Sequence, residues 1–154
     1  MTGLRIRPAR LDIFLELRDL RHEVMETIDP GRPQRTWAED RIFWTEKIET
    51  QENYIWEIVF EEKTIGLLYA FNFTESSCET GISIFYPDLR GKGIGTSAYE
   101  LFDKELKNLH RTSNIIWTRK TNLASQALYK KLGYSKTDAT LESLKDWVQY
   151  RIEL

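Results

Sequence analysis

Hydrophobic and polar positions alternate with two different periods along the first third of the chain. The run LRIRP (4–8) alternates as a strand does, whereas residues 11–27 repeat apolar side chains every three or four positions, as one side of a helix does. A second helix is predicted at 37–49, because Thr36 and Glu39 form a capping-box sequence in front of it. The chain therefore begins with a strand and two helices.

Runs rich in β-branched and aromatic residues occupy the middle of the chain. The segments 54–60 and 65–73 flank the polar EEKT and predict an antiparallel hairpin. A further strand is predicted at 79–86, and it ends at Pro87, which has no amide hydrogen for a strand ladder.

The last third of the chain alternates helix and strand patterns. We predict helices at 95–108 and 122–132, a buried strand at 114–119 and a closing strand at 147–154. The order β-α-α-β-β-β-α-β-α-β predicts a single α/β domain over 1–154, with a mixed sheet and helices available for both faces.

Composition narrows the class of protein without deciding its function. The chain is 41% hydrophobic and 30% charged, and its formal charge of -2 gives no broad basic field for nucleic acid. No apolar run approaches the ~20 residues of a membrane span, and charges throughout residues 1–20 are unlike a secretory signal. The single Cys78 cannot form an internal disulfide. We therefore expect a cytoplasmic protein with neither nucleic acid nor a membrane as partner.

Three glycines, Gly91, Gly93 and Gly95, stand where the helix at 95–108 begins. A helix N-terminus presents unpaired N–H groups and partial positive charge, and glycine allows an anion to approach them closely. The segment therefore predicts an anion-binding loop, with Arg90 and Lys92 as additional cations. A flexible turn with a helix cap is the alternative.

Two common nucleotide-binding motifs do not fit this loop. The chain has no G-x-x-x-x-G-K-[ST] string, and its glycine spacing is one residue short of G-x-G-x-x-G. The strand that follows ends in Thr118-Arg119-Lys120 rather than in the acidic residue of a dinucleotide fold.

The loop resembles instead the acyl-CoA loop of the GNAT superfamily of N-acetyltransferases. The signature Arg/Gln-x-x-Gly-x-Gly/Ala of that family is met by Arg90, Gly93 and Gly95. A second family motif, N-x-x-[SA]-x-x-[LF]-Y-x-K-x-G-[FY], resembles TNLASQALYKKLGY at 121–134. The two motifs occur in the expected order, and the resemblance is clearest over residues 54–135.

The resemblance implies a GNAT-like sheet, mostly antiparallel, whose fourth and fifth strands (79–86 and 114–119) splay apart. Acetyl-CoA would lie between them as acyl-donor cosubstrate, and no metal is implied. The family's cofactor contacts then map to Ile84, Phe85, Tyr86, Arg90, Gly91, Lys92, Gly93, Ile94, Gly95, Thr96, Asn122, Ser125 and Lys131. Asn122 is also a candidate helix cap, and the lysines are equally typical of solvated surface charges.

The implied reaction is direct attack of a primary amine on the thioester within a ternary complex. Backbone N–H groups near Phe85 and Tyr86 would polarise the carbonyl, and Tyr129 would donate a proton to the departing thiolate. Glu79 is the candidate base, acting directly or through water, with a solvated strand-edge glutamate as the alternative. Tyr129 could also be a packed tyrosine with a purely structural role.

The resemblance also implies that the first two helices and the loop between them, residues 11–49, shape the acceptor pocket. Candidate pocket residues there are Glu23, Glu26, Trp37, Phe43 and Trp44. A small molecule, an amino sugar and a protein amino terminus all remain open as acceptors. The alternatives to an enzyme are a non-catalytic acyl-CoA-binding regulatory domain and an interaction domain. A homodimer could form through the closing strand.

Overall fold

The computed structural model describes residues 1–49 and 54–154. The helices are α1 (Leu11–Glu16), α2 (Arg18–Ile28), α3 (Trp37–Glu49), α4 (Ile94–Asn108) and α5 (Leu123–Lys131). The strands are β1 (Leu4–Pro8), β2 (Tyr54–Phe60), β3 (Lys63–Phe71), β4 (Ser77–Ile84), β5 (Ser113–Arg119), β6 (Ser135–Lys136) and β7 (Trp147–Glu153). None of these helices is long and apolar enough to cross a bilayer.

The strands of the described residues form one sheet in the order β1-β2-β3-β4-β5-β7-β6. Every neighbouring pair is antiparallel except β4 and β5, which are parallel. The C-terminal strand β7 lies between β5 and β6, so the predicted closing strand pairs within its own chain.

The parallel pair β4 and β5 is joined at one end only. Ser77–Glu79 of β4 pair with Ser113–Ile115 of β5, and the register ends there. Beyond this point β4 continues to Ile84 and β5 to Arg119, so the two strands diverge. The predicted α/β fold with splayed fourth and fifth strands is confirmed.

Helices cover both faces of the sheet, as predicted, and each face has its own core. On one face α4 and α5 bury aromatic side chains such as Tyr99, Phe102 and Tyr129 against the strands. On the other face α1, α2 and α3 pack around Phe14 and Trp44. The divergence of β4 and β5 therefore leaves an opening in a sheet whose two faces are otherwise covered by helices.

The helix predicted at 11–27 is two helices. The chain breaks at Leu17, whose φ of -92° and ψ of 10° are not helical. Leu17 and Phe14 are both buried in the same core, so the break serves tertiary packing that local periodicity does not report. The capping box before α3 is confirmed: Glu39 N–H donates to Thr36 Oγ1 at 3.2 Å, and Thr36 N–H donates to Glu39 Oε2 at 2.9 Å.

Candidate active site

A cavity of about 590 Å³ lies where β4 and β5 diverge. Its wall includes Ile82–Ile84 of β4, the glycine loop that precedes α4, and one side of α5. Val24 and Thr27 of α2 complete it from the opposite face of the sheet. Side chains from the helices on both faces of the sheet therefore contribute to the cavity wall.

Two of the three glycines at the start of α4 adopt a left-handed backbone conformation. Gly91 has φ +71° and Gly93, the N-cap residue of α4, has φ +83°. Among the residues that the structure describes, no side chain caps this helix, which leaves its first N–H groups for another partner. Gly95 is helical and lies in the cavity wall, where a Cβ would make an ordinary contact with Leu128 at 3.5 Å. These features fit the predicted anion-binding loop.

Arg90 holds the end of β4 in place. Its Nε and Nη2 donate to the carbonyl of Ile84 at 3.2 and 2.9 Å. The guanidinium therefore anchors the loop to the strand instead of presenting its whole charge to a ligand. Lys92, the other predicted cation, is exposed and lies outside the cavity wall.

Nine of the thirteen predicted cofactor contacts line the cavity: Ile84, Arg90, Gly91, Gly93, Gly95, Thr96, Asn122, Ser125 and Lys131. The other four, Phe85, Tyr86, Lys92 and Ile94, are not among its wall residues. Phe85 and Ile94 are each 2% exposed, because their side chains belong to the two cores.

One hydrogen bond shows which way the N–H and C=O groups of β4 point. The N–H of Phe85 donates to the carbonyl of Ile65 on β3 at 2.9 Å, so it is not available to a thioester. Hydrogen-bonding directions alternate along a strand, so the N–H groups of Ile82 and Ile84 point to the opposite side, where β5 has diverged. The carbonyl of Ile84 does point that way, because it meets Arg90.

The position of α5 is fixed at its N-terminal end. Asn122 caps the helix by accepting the Ser125 N–H at 3.1 Å, as predicted. Gln126 Nε2 donates to the carbonyls of Arg119 and Lys120 at 3.2 and 2.9 Å, which ties α5 to the end of β5. These contacts orient the helix face that carries Ser125 and Tyr129.

Tyr129 is 4% exposed and lies in a cluster of tyrosines. Its ring centroid is 5.9 Å from those of Tyr99 and Tyr150 and 6.0 Å from that of Tyr134. Burial raises the pKa of Tyr129 to about 12, against the opposing effect of the Tyr99 and Ser125 hydroxyls. The phenol is thus protonated at neutral pH and can donate. Tyr129 is not itself among the wall residues, whereas Ser125 is.

A buried polar network supports the tyrosine cluster where β4 and β5 separate. Thr80 Oγ1 donates to Asn114 Oδ1 at 2.8 Å, and Asn114 Nδ2 donates to the Tyr134 hydroxyl at 2.6 Å. The same hydroxyl donates to Asp103 Oδ1 at 3.3 Å. Burial raises the pKa of Asp103 to about 6. The network joins β4, β5 and α4, and it fixes the point from which the strands diverge.

Glu79 is the last residue of β4 that pairs with β5. Its carboxylate accepts hydrogen bonds from Asn72 Nδ2 and, at 2.9 Å, from Trp117 Nε1. It is half-buried and, like Tyr129, is absent from the described residues that line the cavity. In the described residues, no three His, Cys, Asp or Glu side chains come together as a metal site would require.

The residues predicted to line the acceptor pocket do not share one environment in the structure. Trp44 is 6% exposed and stacks on Phe14 at 4.3 Å, so it is a core residue. Phe43 lies under the Arg35 guanidinium at 3.8 Å, and Trp37 is half exposed at the start of α3. Glu23 and Glu26 instead line an open groove along α2.

Buried Asp40 holds α2, α3 and the loop between them together. Its carboxylate accepts hydrogen bonds from Arg18 Nε at 2.8 Å and Arg35 Nε at 2.9 Å, and His22 Nε2 lies 3.1 Å away. A second link connects this layer to the cavity, because Arg119 of β5 forms an ion pair with Asp29 at the end of α2. The Arg18–Asp40 and Asp29–Arg119 contacts span 22 and 90 positions of sequence, and no sequence pattern predicted them.

Several residues of the cavity wall were not predicted from the sequence: Val24, Thr27, Ile82, Ser83, Leu89, Arg119, Thr121, Ala124, Ala127 and Leu128. Ala127 and Leu128 of α5 lie three or four positions from Ser125 or Lys131, so helical spacing could have found them. Val24 and Thr27 come from a helix on the other face, and only the tertiary structure brings them here.

The sequence also matches a known family. The family described as Acetyltransferase (GNAT) domain matches residues 4–135. The chain belongs to the GNAT acetyltransferase family. Members of this family are acyltransferases, so this GNAT protein is an N-acetyltransferase enzyme. No curated protein sequence matches it.

Solved structures with the same fold cover nearly the whole GNAT chain. A domain from Methanocaldococcus jannaschii is 24% identical, with a TM-score of 0.79 and 98% of each chain covered. A spermidine N-acetyltransferase from Vibrio cholerae, solved with CoA and spermine, is 17% identical, with a TM-score of 0.81 and coverage of 99% and 96%. An acetyltransferase from Salmonella typhimurium that modifies the N-terminal serine of ribosomal protein L7/L12 is 16% identical, with a TM-score of 0.81 and coverage of 100% and 96%. At these identities the structures show the fold.

Proposed function

We propose that this enzyme transfers an acetyl group from acetyl-CoA to a primary amine by direct attack within a ternary complex. The observation that carries the proposal is the cavity between the diverging β4 and β5. The uncapped N-terminus of α4 stands on its wall, as do Ile82 and Ile84 of β4. An anionic, extended ligand with amide groups suits this combination.

The residues present suit each part of acetyl-CoA. The N–H groups of the Gly91–Thr96 segment suit the diphosphate, because a helix N-terminus stabilises anions and left-handed glycines expose the backbone. The backbone groups of Ile82 and Ile84 suit the amides of pantetheine, which would take the place of a neighbouring strand. Lys131 lies at the wall and suits a phosphate.

The amine nitrogen forms a bond to the thioester carbonyl carbon, the carbon–sulfur bond breaks, and the amine loses a proton. The N–H group of Ile82, which is farther along β4 from the N-terminus of α4 than that of Ile84, points to where the oxyanion would develop, while the N–H of Ile84 is left for pantetheine. Tyr129 donates a hydrogen bond to the departing sulfur. Its pKa of about 12 exceeds the ~8.5 of a free thiol, so the phenol stabilises the thiolate more than it protonates it.

Glu79 is the candidate base, and its place on β4 favours a route through water. Glu79 and Ser83 lie on the same side of the strand, ~13 Å apart along it at ~3.3 Å per residue. A carboxylate whose strand position lies this far from Ser83 receives the amine proton through intervening water. We expect Glu79→Gln to lower kcat and to change the pH profile of the rate.

The decisive experiment measures release of free CoA thiol from acetyl-CoA with a panel of primary amines. The panel contains polyamines, amino sugars and peptides with free amino termini, since solved structures with the same fold include a spermidine and a ribosomal-protein acetyltransferase. Saturable, amine-dependent release is the expected result. Binding of acetyl-CoA, seen as a thermal shift, without release from any amine would favour the non-catalytic acyl-CoA-binding alternative.

A further inference from the structure

Two hydroxyl groups on neighbouring strands meet beside the cavity. The Tyr69 hydroxyl of β3 and the Ser83 hydroxyl of β4 are hydrogen-bonded to each other. Ser83 is 5% exposed and lines the cavity, and Tyr69 is half-buried. Neither residue belongs to the sequence motifs that indicated the family.

Gly81 holds the Tyr69 ring in this position. A Cβ at Gly81 would lie 2.7 and 2.9 Å from two ring carbons of Tyr69, closer than real contacts allow. The backbone of Gly81 is not among the positive-φ glycines, so this glycine provides space rather than an unusual conformation. The ring therefore lies against the bare strand, and this contact directs its hydroxyl along β4 to Ser83.

The pair lies on the opposite side of the sheet from the phenol of α5. Ile82 and Ile84 pack on the core of α4 and α5, whereas Tyr69 packs with Phe85 on the core of α1–α3. Side chains alternate along a strand, so Ser83 shares the side of Phe85.

Burial raises the pKa of the Tyr129 phenol, and Tyr69 adds to that effect from the other side of the sheet.

We propose that Tyr69 and Ser83 together hold the attacking amine of the acceptor at the thioester. This inference rests on the proposed function. Tyr129 donates to the sulfur from the α5 side, so the amine approaches from the α2 side, where the two hydroxyls lie. One hydroxyl donates to the other, and the lone pairs that remain accept an N–H of the neutral amine. The nitrogen lone pair is then directed at the carbonyl carbon.

The test compares Tyr69→Phe, Ser83→Ala and the double variant in steady-state assays with acetyl-CoA and the best amine of the panel. We expect kcat/KM for the amine to fall about tenfold or more in each single variant, with KM for acetyl-CoA within about twofold of wild type. Because the hydroxyls act as a pair, the double variant loses little more than either single variant. Tyr54→Phe, whose ring packs edge-on against Phe73 at 5.2 Å, is the matched control and keeps wild-type kinetics.

Gly81→Ala provides a second perturbation that keeps both hydroxyls. It pushes the Tyr69 ring aside and should produce the same defect in the amine parameters. Equal loss in the amine and acetyl-CoA parameters, or a Tyr69→Phe enzyme with wild-type kcat/KM, overturns the inference while the proposed function stands. A wild-type enzyme that releases CoA with no amine overturns both.

Discussion

Replacing Tyr129 with phenylalanine removes one hydroxyl from a closely packed cluster of tyrosines and leaves the ring in place. The pKa of about 12 is ~3.5 units above that of a free thiol, so complete proton transfer to the sulfur would cost ~5 kcal/mol. What the variant loses is a hydrogen bond to a charged sulfur, worth about 1.5–3 kcal/mol. We therefore expect kcat to fall roughly 10–150-fold, with the dissociation constant of acetyl-CoA unchanged.

The assay is CoA thiol release at saturating acetyl-CoA and amine, with Tyr150→Phe as control. Tyr150 belongs to the same cluster, but its hydroxyl donates to Gln126 Oε1 at 3.1 Å, so its removal should leave kcat near that of wild type. With a pKa near 12, the Tyr129 phenol causes no loss of rate between pH 7 and about pH 10. Wild-type turnover in Tyr129→Phe, or an alkaline limb below pH 10 that this variant abolishes, would refute the reasoning.

Three further variants test other parts of the account. Gly93→Ala forces a side chain into a left-handed N-cap at φ +83°, which costs about 1–2 kcal/mol; calorimetry should show lower stability and weaker acetyl-CoA binding. Arg90→Ala frees the Ile84 carbonyl, so KM for acetyl-CoA should rise about tenfold while KM for the amine stays constant. Burial by itself would raise the pKa of Asp40, but hydrogen bonds from Arg35 and Arg18 lower that pKa overall. The stability that Asp40 contributes is therefore fully present above its unfolded pKa of ~3.9, and it is lost as the pH falls through the lower pKa of the folded protein. Thermal melts should therefore show Asp40→Asn less stable than wild type at neutral pH and less sensitive to acid.

The sequence predicted those features whose defining residues lie close together along the chain. The capping box before α3, the Asn122 cap of α5 and the glycines that begin α4 depend on residues within one turn of each other. The break at Leu17 was missed because the sequence around it is helical throughout, and only burial beside Phe14 decides it.

The contacts that complete the candidate site depend on register and topology. Tyr69 meets Ser83 because β3 and β4 pair with Tyr69 opposite Gly81, and this pairing cannot be read from either strand alone. Asp29 and Arg119 meet across 90 positions of sequence. The N–H of Phe85 was expected at the thioester, and the direction of its hydrogen bond to β3 is likewise a property of the sheet.

The central claim is that the opening between β4 and β5 holds acetyl-CoA with its thioester beside Tyr129, and a crystal structure of the complex tests it most directly. We expect the diphosphate on the N–H groups that begin α4, the pantetheine along Ile82 and Ile84, and the sulfur within hydrogen-bonding reach of the Tyr129 hydroxyl. Acetyl-CoA bound elsewhere on the protein, or a sulfur far from that hydroxyl, would contradict it.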